Sequence, residues 1–202
     1  MLRTTMMLSG LIALMLCACG SDTTSSGTTA GEPEVLSKHV NYMPLALGNT
    51  WKYEAREQAV TRLLARTVTG VASIRNVLWY VINQEDTVRV NALNEYVIIK
   101  NKQEIIQFKL DAGEGDSWSL GENEEGQEVM GMLVSRREKI EVPAGTFSNC
   151  LQFKFFSPAG TSVDTTYMWL APNVGFIKKT NSLDDTLFSV LLEAIIAGKT
   201  YP

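Results

Sequence analysis

The stretch EVMGMLVSRREKIEV (128–142), PAGT (143–146), FSNCLQFKFF (147–156) decides the fold class. Two runs rich in β-formers flank a tight turn signal. Pro143 ends the first run and presets a turn, and Gly145 supplies a backbone of positive φ. Phe147 then opens the second run as a large apolar anchor. Run, turn and run in this order predict an antiparallel hairpin.

The pattern extends in both directions. Thr50 to Glu54 alternates polar with aromatic residues, and Leu64 to Ile74 places Leu64, Val68, Ala72 and Ile74 on one face, which Arg66 shares. Val77–Ile82, Thr87–Val90, Ile105–Leu110, Thr165–Leu170, Gly175–Lys179 and Leu187–Ile196 continue the series. Turn residues punctuate it at Asn83–Asp86, Asn91–Asn94, Asn101-Lys102, Gly113–Asp116, Pro158–Gly160 and Pro172-Asn173. The reading is all-β and mainly antiparallel, with about ten strands, too many for one flat sheet. A curved half-barrel or open barrel is expected, with a two-layer sandwich as the alternative. Leu187–Ala197 fits helical spacing and strand alternation alike, and its β context favours a strand. Lys38–Ala46 could hold a short helical turn before Pro44.

The 202 residues divide into a leader (1–18), a tether (19–34) and one β-rich domain (35–202). A domain of this size buries roughly 70% of its unfolded surface, so no staple is needed. Arg3 precedes an apolar run from Met6 to Leu16, interrupted only by Ser9 and Gly10. The run is shorter than the roughly 20 residues that span a bilayer and suits a signal peptide. It ends Leu16-Cys17-Ala18-Cys19-Gly20, which resembles the lipobox of bacterial lipoproteins. The resemblance implies cleavage after Ala18 and lipid on Cys19, anchoring the protein in a membrane. Each buried methylene contributes about 0.8 kcal/mol, so two or three chains anchor stably. Gly20 in place of Asp leans toward the outer membrane by analogy with enterobacterial sorting. The tether GSDTTSSGTTAGEPE (20–34) has a reach of roughly 20 Å by random-coil scaling.

Three short stretches resemble, together, a broad family of bacterial secreted proteins and lipoproteins. They are PLALGNTWKY (44–53), VPAGTFSNCL (142–151) and WLAPNVGFIK (169–178). The family pattern reads roughly PL-x-x-G-x-x-W-x-Y, VPAGTF-x-x-C-L and W-x-A-P-x-VG-x-x-K. The resemblance implies a curved antiparallel sheet, distantly similar to the half-barrels of the LolA and LolB lipoprotein carriers, and no particular activity. Gly48-Asn49-Thr50-Trp51 and Gly115-Asp116-Ser117-Trp118 echo one another, which shared turn chemistry explains better than an internal repeat.

The chemistry of catalysis is not visible in the sequence. His39, the single histidine, lies beside the tether, away from any Ser-His-Asp or Cys-His arrangement. Clustered zinc ligands are absent, and no cofactor is expected. Ala197-Gly198-Lys199-Thr200 lacks the first glycine of a phosphate-binding loop, since position 193 is Glu193. Asp111–Glu128 is acidic but lacks EF-hand spacing and reads as a solvated loop. A formal net charge of -4, with no Lys/Arg cluster, argues against nucleic acid. Cys17 leaves with the leader and Cys19 is blocked, so Cys150 remains as a small buried hydrophobe.

The expectation is a noncatalytic lipoprotein that binds an apolar ligand on its curved sheet. Trp51, Trp79, Trp118, Phe153, Phe155 and Trp169 are the candidate lining, and the same side chains are the expected core. The alternative is an interaction lipoprotein that contacts an envelope protein. A carboxylate-based hydrolase is the third reading.

Overall fold

A computed structural model describes residues 40–57, 60–158, 165–181 and 187–202. The leader, Cys19, the tether and His39 lie outside the described residues. The described chain is all-β: thirteen antiparallel strands and no helix. In chain order they are β1 (Thr50–Glu57), β2 (Val60–Ile74), β3 (Val77–Ile82), β4 (Asp86–Val90), β5 (Glu95–Lys100) and β6 (Gln103–Lys109). Then come β7 (Ser117–Glu122), β8 (Glu128–Val142), β9 (Gly145–Phe156), β10 (Thr166–Ala171), β11 (Gly175–Asn181), β12 (Leu187–Ile196) and β13 (Lys199–Tyr201).

From β1 to β6, and again from β7 to β12, each strand pairs with the next. β1 also pairs with β12, from Thr50↔Ile195 to Glu57↔Leu187. The result is an up-and-down meander curled into a nearly closed barrel, whose seam lies between β6 and β7. β13 adds a short pairing on β12. Of the segment with two readings, Leu187–Ala197, all but the last residue is a strand, and Ala197 opens the turn to β13. The strand joins the ends of the meander.

Thirteen strands replace the expected ten. β5 (EYVIIK) lies between the turn signals at Asn91–Asn94 and Asn101-Lys102, where Tyr96 to Ile99 is a continuous apolar run without alternation. β7 (SWSLGE) sits inside what reads as an acidic loop. β13 is only three residues long. The expected helical turn before Pro44 is absent over 40–46, where the chain bends at Tyr42-Met43. The residue ahead of a proline is pushed out of the helical region, which favours extended chain here.

Turn chemistry sets the meander. Arg75-Asn76 joins β2 to β3 and Asn101-Lys102 joins β5 to β6, each pair with positive φ at both residues. That conformation matches the twist of the flanking strands. The echoed Gly-Asn and Gly-Asp turns open the two six-strand runs with the same bonds. Gly48 N–H donates to Val68 O (2.9 Å) and Val68 N–H to Asn49 O (2.9 Å). Gly115 N–H donates to Leu133 O (2.8 Å) and Leu133 N–H to Asp116 O (3.1 Å).

Hydrogen bonds tie the stretches 42–53, 142–151 and 169–178 to one another and to β12. The β8–β9 ladder slips register at Leu133/Ser135, Ser135/Glu138 and Glu138/Ile140, and such bulges bend a strand. Its turn carries buried Val142 and Ala144, and Ala144 N–H donates to Leu191 O on β12 (3.1 Å). Tyr42 Oη donates to Asn149 O (2.8 Å), and Trp51 Nε1 donates to Val174 O (2.7 Å). Asn49 Nδ2 donates to Pro44 O (2.6 Å), while its Oδ1 accepts from Ala197 N–H (2.9 Å).

A candidate ligand cavity inside the barrel

Roughly eight strands make a barrel whose side chains just fill it, so a ring of twelve leaves lumen to occupy. Part of that lumen is packed. Phe108 stacks on Phe153 (ring centroids 4.9 Å apart) and Phe155 (5.6 Å), and Trp118 meets Phe153 edge-on (6.1 Å). The rest is a cavity of about 530 Å³. That lies in the size range of small-molecule sites, roughly 300–1,000 Å³.

The cavity walls come from β1 to β6 and from β10, β11 and β12, with Met43, Pro44 and Leu45 ahead of β1. Tyr53, Val88, Tyr96, Ile98, Phe108 and Phe176 give it an apolar interior. Tyr53 Oη donates to Phe176 O (3.0 Å), so this phenol offers its ring to the cavity. Burial pushes the Tyr96 phenol up to about 12 and the Tyr53 phenol higher still, with Arg66 opposing both shifts. Both rings therefore stay neutral across the physiological range. Arg66, Asp86, Gln107, Lys179 and Ser189 supply the polar lining. Arg66 Nη2 donates to Asp86 Oδ2 at 2.6 Å.

The six aromatic candidates have three placements. Trp51 lines the cavity. Trp118, Phe153 and Phe155 belong to the packed lumen beside it. Trp79 and Trp169 face the other way. Tyr80 and Ile82 point inward with Val88, so Trp79, the neighbour of Tyr80, points outward, where the Arg89 guanidinium covers its ring at 4.8 Å. Met168 and Lys179 line the cavity, so their neighbours Trp169 and Lys178 lie opposite. Lys178 Nζ sits 5.2 Å from the Trp169 ring, a cation–π contact on that face.

Sequence reasoning missed Tyr53, Tyr96, Phe176, Arg66 and Lys179. Tyr53 follows Trp51 by two residues and was accessible by alternation. Arg66 stood out as the charged member of an otherwise apolar face, and that is its place in the lumen wall. No group of three or more His, Cys, Asp or Glu able to hold a metal occurs among the described residues.

No protein-family model and no curated protein sequence matches the chain. Among solved structures, it is similar to a protein of Parabacteroides distasonis described as a lipoprotein, at 16% identity and TM-score 0.38, over 77% of this chain and 98% of that one. It is also similar to a protein of Bacteroides fragilis described as exported with a YmcC-like fold. The identity there is 14% and the TM-score 0.41, over 77% of this chain and 99% of the other.

Proposed function

We propose that the protein is a lipid-anchored envelope protein that holds an apolar ligand in its barrel and performs no chemistry on it. The observation that carries this reading is the cavity in the lumen bounded by Tyr53, Tyr96, Phe108 and Phe176, with a few polar groups in its lining. Apolar walls with a few polar groups are the usual form of a ligand site. The lipobox-like Leu16–Cys19 run and the motif resemblance to bacterial lipoproteins support the address, with Gly20 favouring the outer membrane.

Binding of 1-N-phenylnaphthylamine, an apolar fluorophore, tests the reading. Its emission rises on entering the cavity, and Ala55→Trp, a half-buried lining position, abolishes the rise while circular dichroism stays β-type. An unchanged signal in Ala55→Trp, or no signal in the parent, refutes it. Labelled palmitate incorporation in cells, lost in Cys19→Ser, tests the anchor.

One observation favours the alternative, contact with a protein partner. β2 exposes Leu63 (77%), Val60 and Leu64 beside the β1–β2 connection. A photo-crosslinker at Leu63 that captures one stoichiometric envelope protein, with an empty cavity, selects that alternative.

A further inference from the structure

We propose that the cavity selects single-chain amphiphiles with an anionic head, held by Lys179 and Ser189, with the tail among Tyr53, Tyr96, Phe108 and Phe176. This rests on the ligand-binding reading above. The charge of the lining is the first observation. Among the lining residues that face the lumen, Arg66 and Lys179 stand against Asp86 alone, two positive groups against one negative, in a chain of formal net charge -4. A cavity of opposite sign to its protein favours anions.

Pairing narrows the choice to one residue. Arg66 is taken up by Asp86. Arg56 is exposed on the side of β1 opposite Tyr53 and Ala55. Lys179 is half-buried and faces the lumen, because its direct partner Met168 does. It has no hydrogen bond or ion pair among the described residues. Its partner on β12 is Ser189, also half-buried, lining the cavity and equally without a hydrogen bond. An ammonium and a hydroxyl side by side, partly desolvated and unpaired, carry a cost that a carboxylate or phosphate monoester removes. The apolar part of the lining, Phe176, Tyr53, Tyr96 and Phe108, suits an alkyl chain, since the Tyr53 hydroxyl is already spent on Phe176 O.

The full chain carrying Cys19→Ser, which leaves no covalent acyl chain to compete, is loaded with 1-N-phenylnaphthylamine. Palmitate, hexadecyl phosphate and hexadecanol then displace it at neutral pH. At least one anion is expected to bind roughly tenfold or more tighter than hexadecanol, the scale of one charge-assisted bond. The tighter anion tells a fatty acid from a phosphate-headed lipid. Lys179→Gln brings that anion to the level of hexadecanol, Lys179→Arg keeps most of the preference, and Ser189→Ala lowers it in part. Equal binding of hexadecanol and both anions, or an anion preference unchanged in Lys179→Gln, overturns the inference and leaves the apolar cavity standing. Failure of the fluorophore itself to bind removes the reading beneath it as well.

Discussion

Gly131 stands directly across from Trp118 in the β7–β8 ladder. A Cβ there would lie 2.8 Å from Trp118 Cε2 and 2.9 Å from Cζ2, inside contact distance. The ring has little room to yield, because its Nε1 donates to Ile106 O (3.2 Å) and Phe153 lies against it. Gly131→Ala is expected to cost about 1–3 kcal/mol as overpacking, read as a lower urea midpoint with altered tryptophan emission. Cys150 makes the opposite case, a residue of little consequence for chemistry. Its thiol is fully buried and burial pushes it up to about 11, so it lacks both access and thiolate character. Peptide mapping after iodoacetamide at neutral pH should find Cys150 unmodified in native protein and alkylated once unfolded; native labelling would contradict the placement. The sequence shows Cys150 as a small hydrophobe, because burial habits belong to the residue type. The meaning of Gly131 comes from a cross-strand partner that no local pattern names.

The seam is where the barrel depends on single contacts. Elsewhere neighbouring strands share backbone ladders, but β6 and β7 face one another without one. Beside the stacking of Phe108 on Phe153 and Phe155, two side chains hydrogen-bond across the seam: Trp118, bonded to Ile106 O, and Arg136 of β8, whose Nη1 donates to Leu110 O (2.9 Å) and Ala112 O (2.8 Å) just past β6. Trp118→Phe keeps the ring contacts and removes one hydrogen bond, a loss of about 0.5–1.5 kcal/mol. Amide hydrogen exchange should then quicken in β6 and β7 while β1 and β12, joined by an eight-residue ladder, stay protected. Equal acceleration in both regions would show that the barrel opens as one unit. The elements themselves were readable in proportion to their alternation and turn signals. The β8–β9 hairpin has both, and its register slips, which bend it onto β12, have no one-dimensional signature. β7 shows only Trp118 and Leu120 on alternate positions among acidic and glycine residues, so charge hid it.

At the scale of the whole molecule, closure explains why the same sheet is both core and container. Joining β1 to β12 turns one face of every strand inward, and twelve strands enclose more volume than the aromatic cluster fills. Closure was half legible: the strand number required a curled sheet, but which strands meet is a long-range pairing that periodicity does not encode. Enclosure also ties stability to pH in a definite direction. Tyr53, Tyr96 and Cys150 are buried neutral, and desolvation raises all three above their ordinary values of 10.0, 10.0 and 9.0. A raised folded pKa means the unfolded chain releases its proton first as pH climbs. The stabilisation is complete below about 9, and falls as pH rises toward 11 for Cys150 and 12 for Tyr96. The urea midpoint is therefore expected to hold up to pH about 9 and drop steeply by pH about 11, with phenolate absorbance from the buried tyrosines rising together with loss of β-type circular dichroism. Tyr96→Phe should flatten that fall, since it removes one of the groups whose ionisation drives it. Early phenolate formation by all tyrosines in a still-folded barrel would mean that water reaches the lumen freely, and the cavity would then be too wet to hold an alkyl chain.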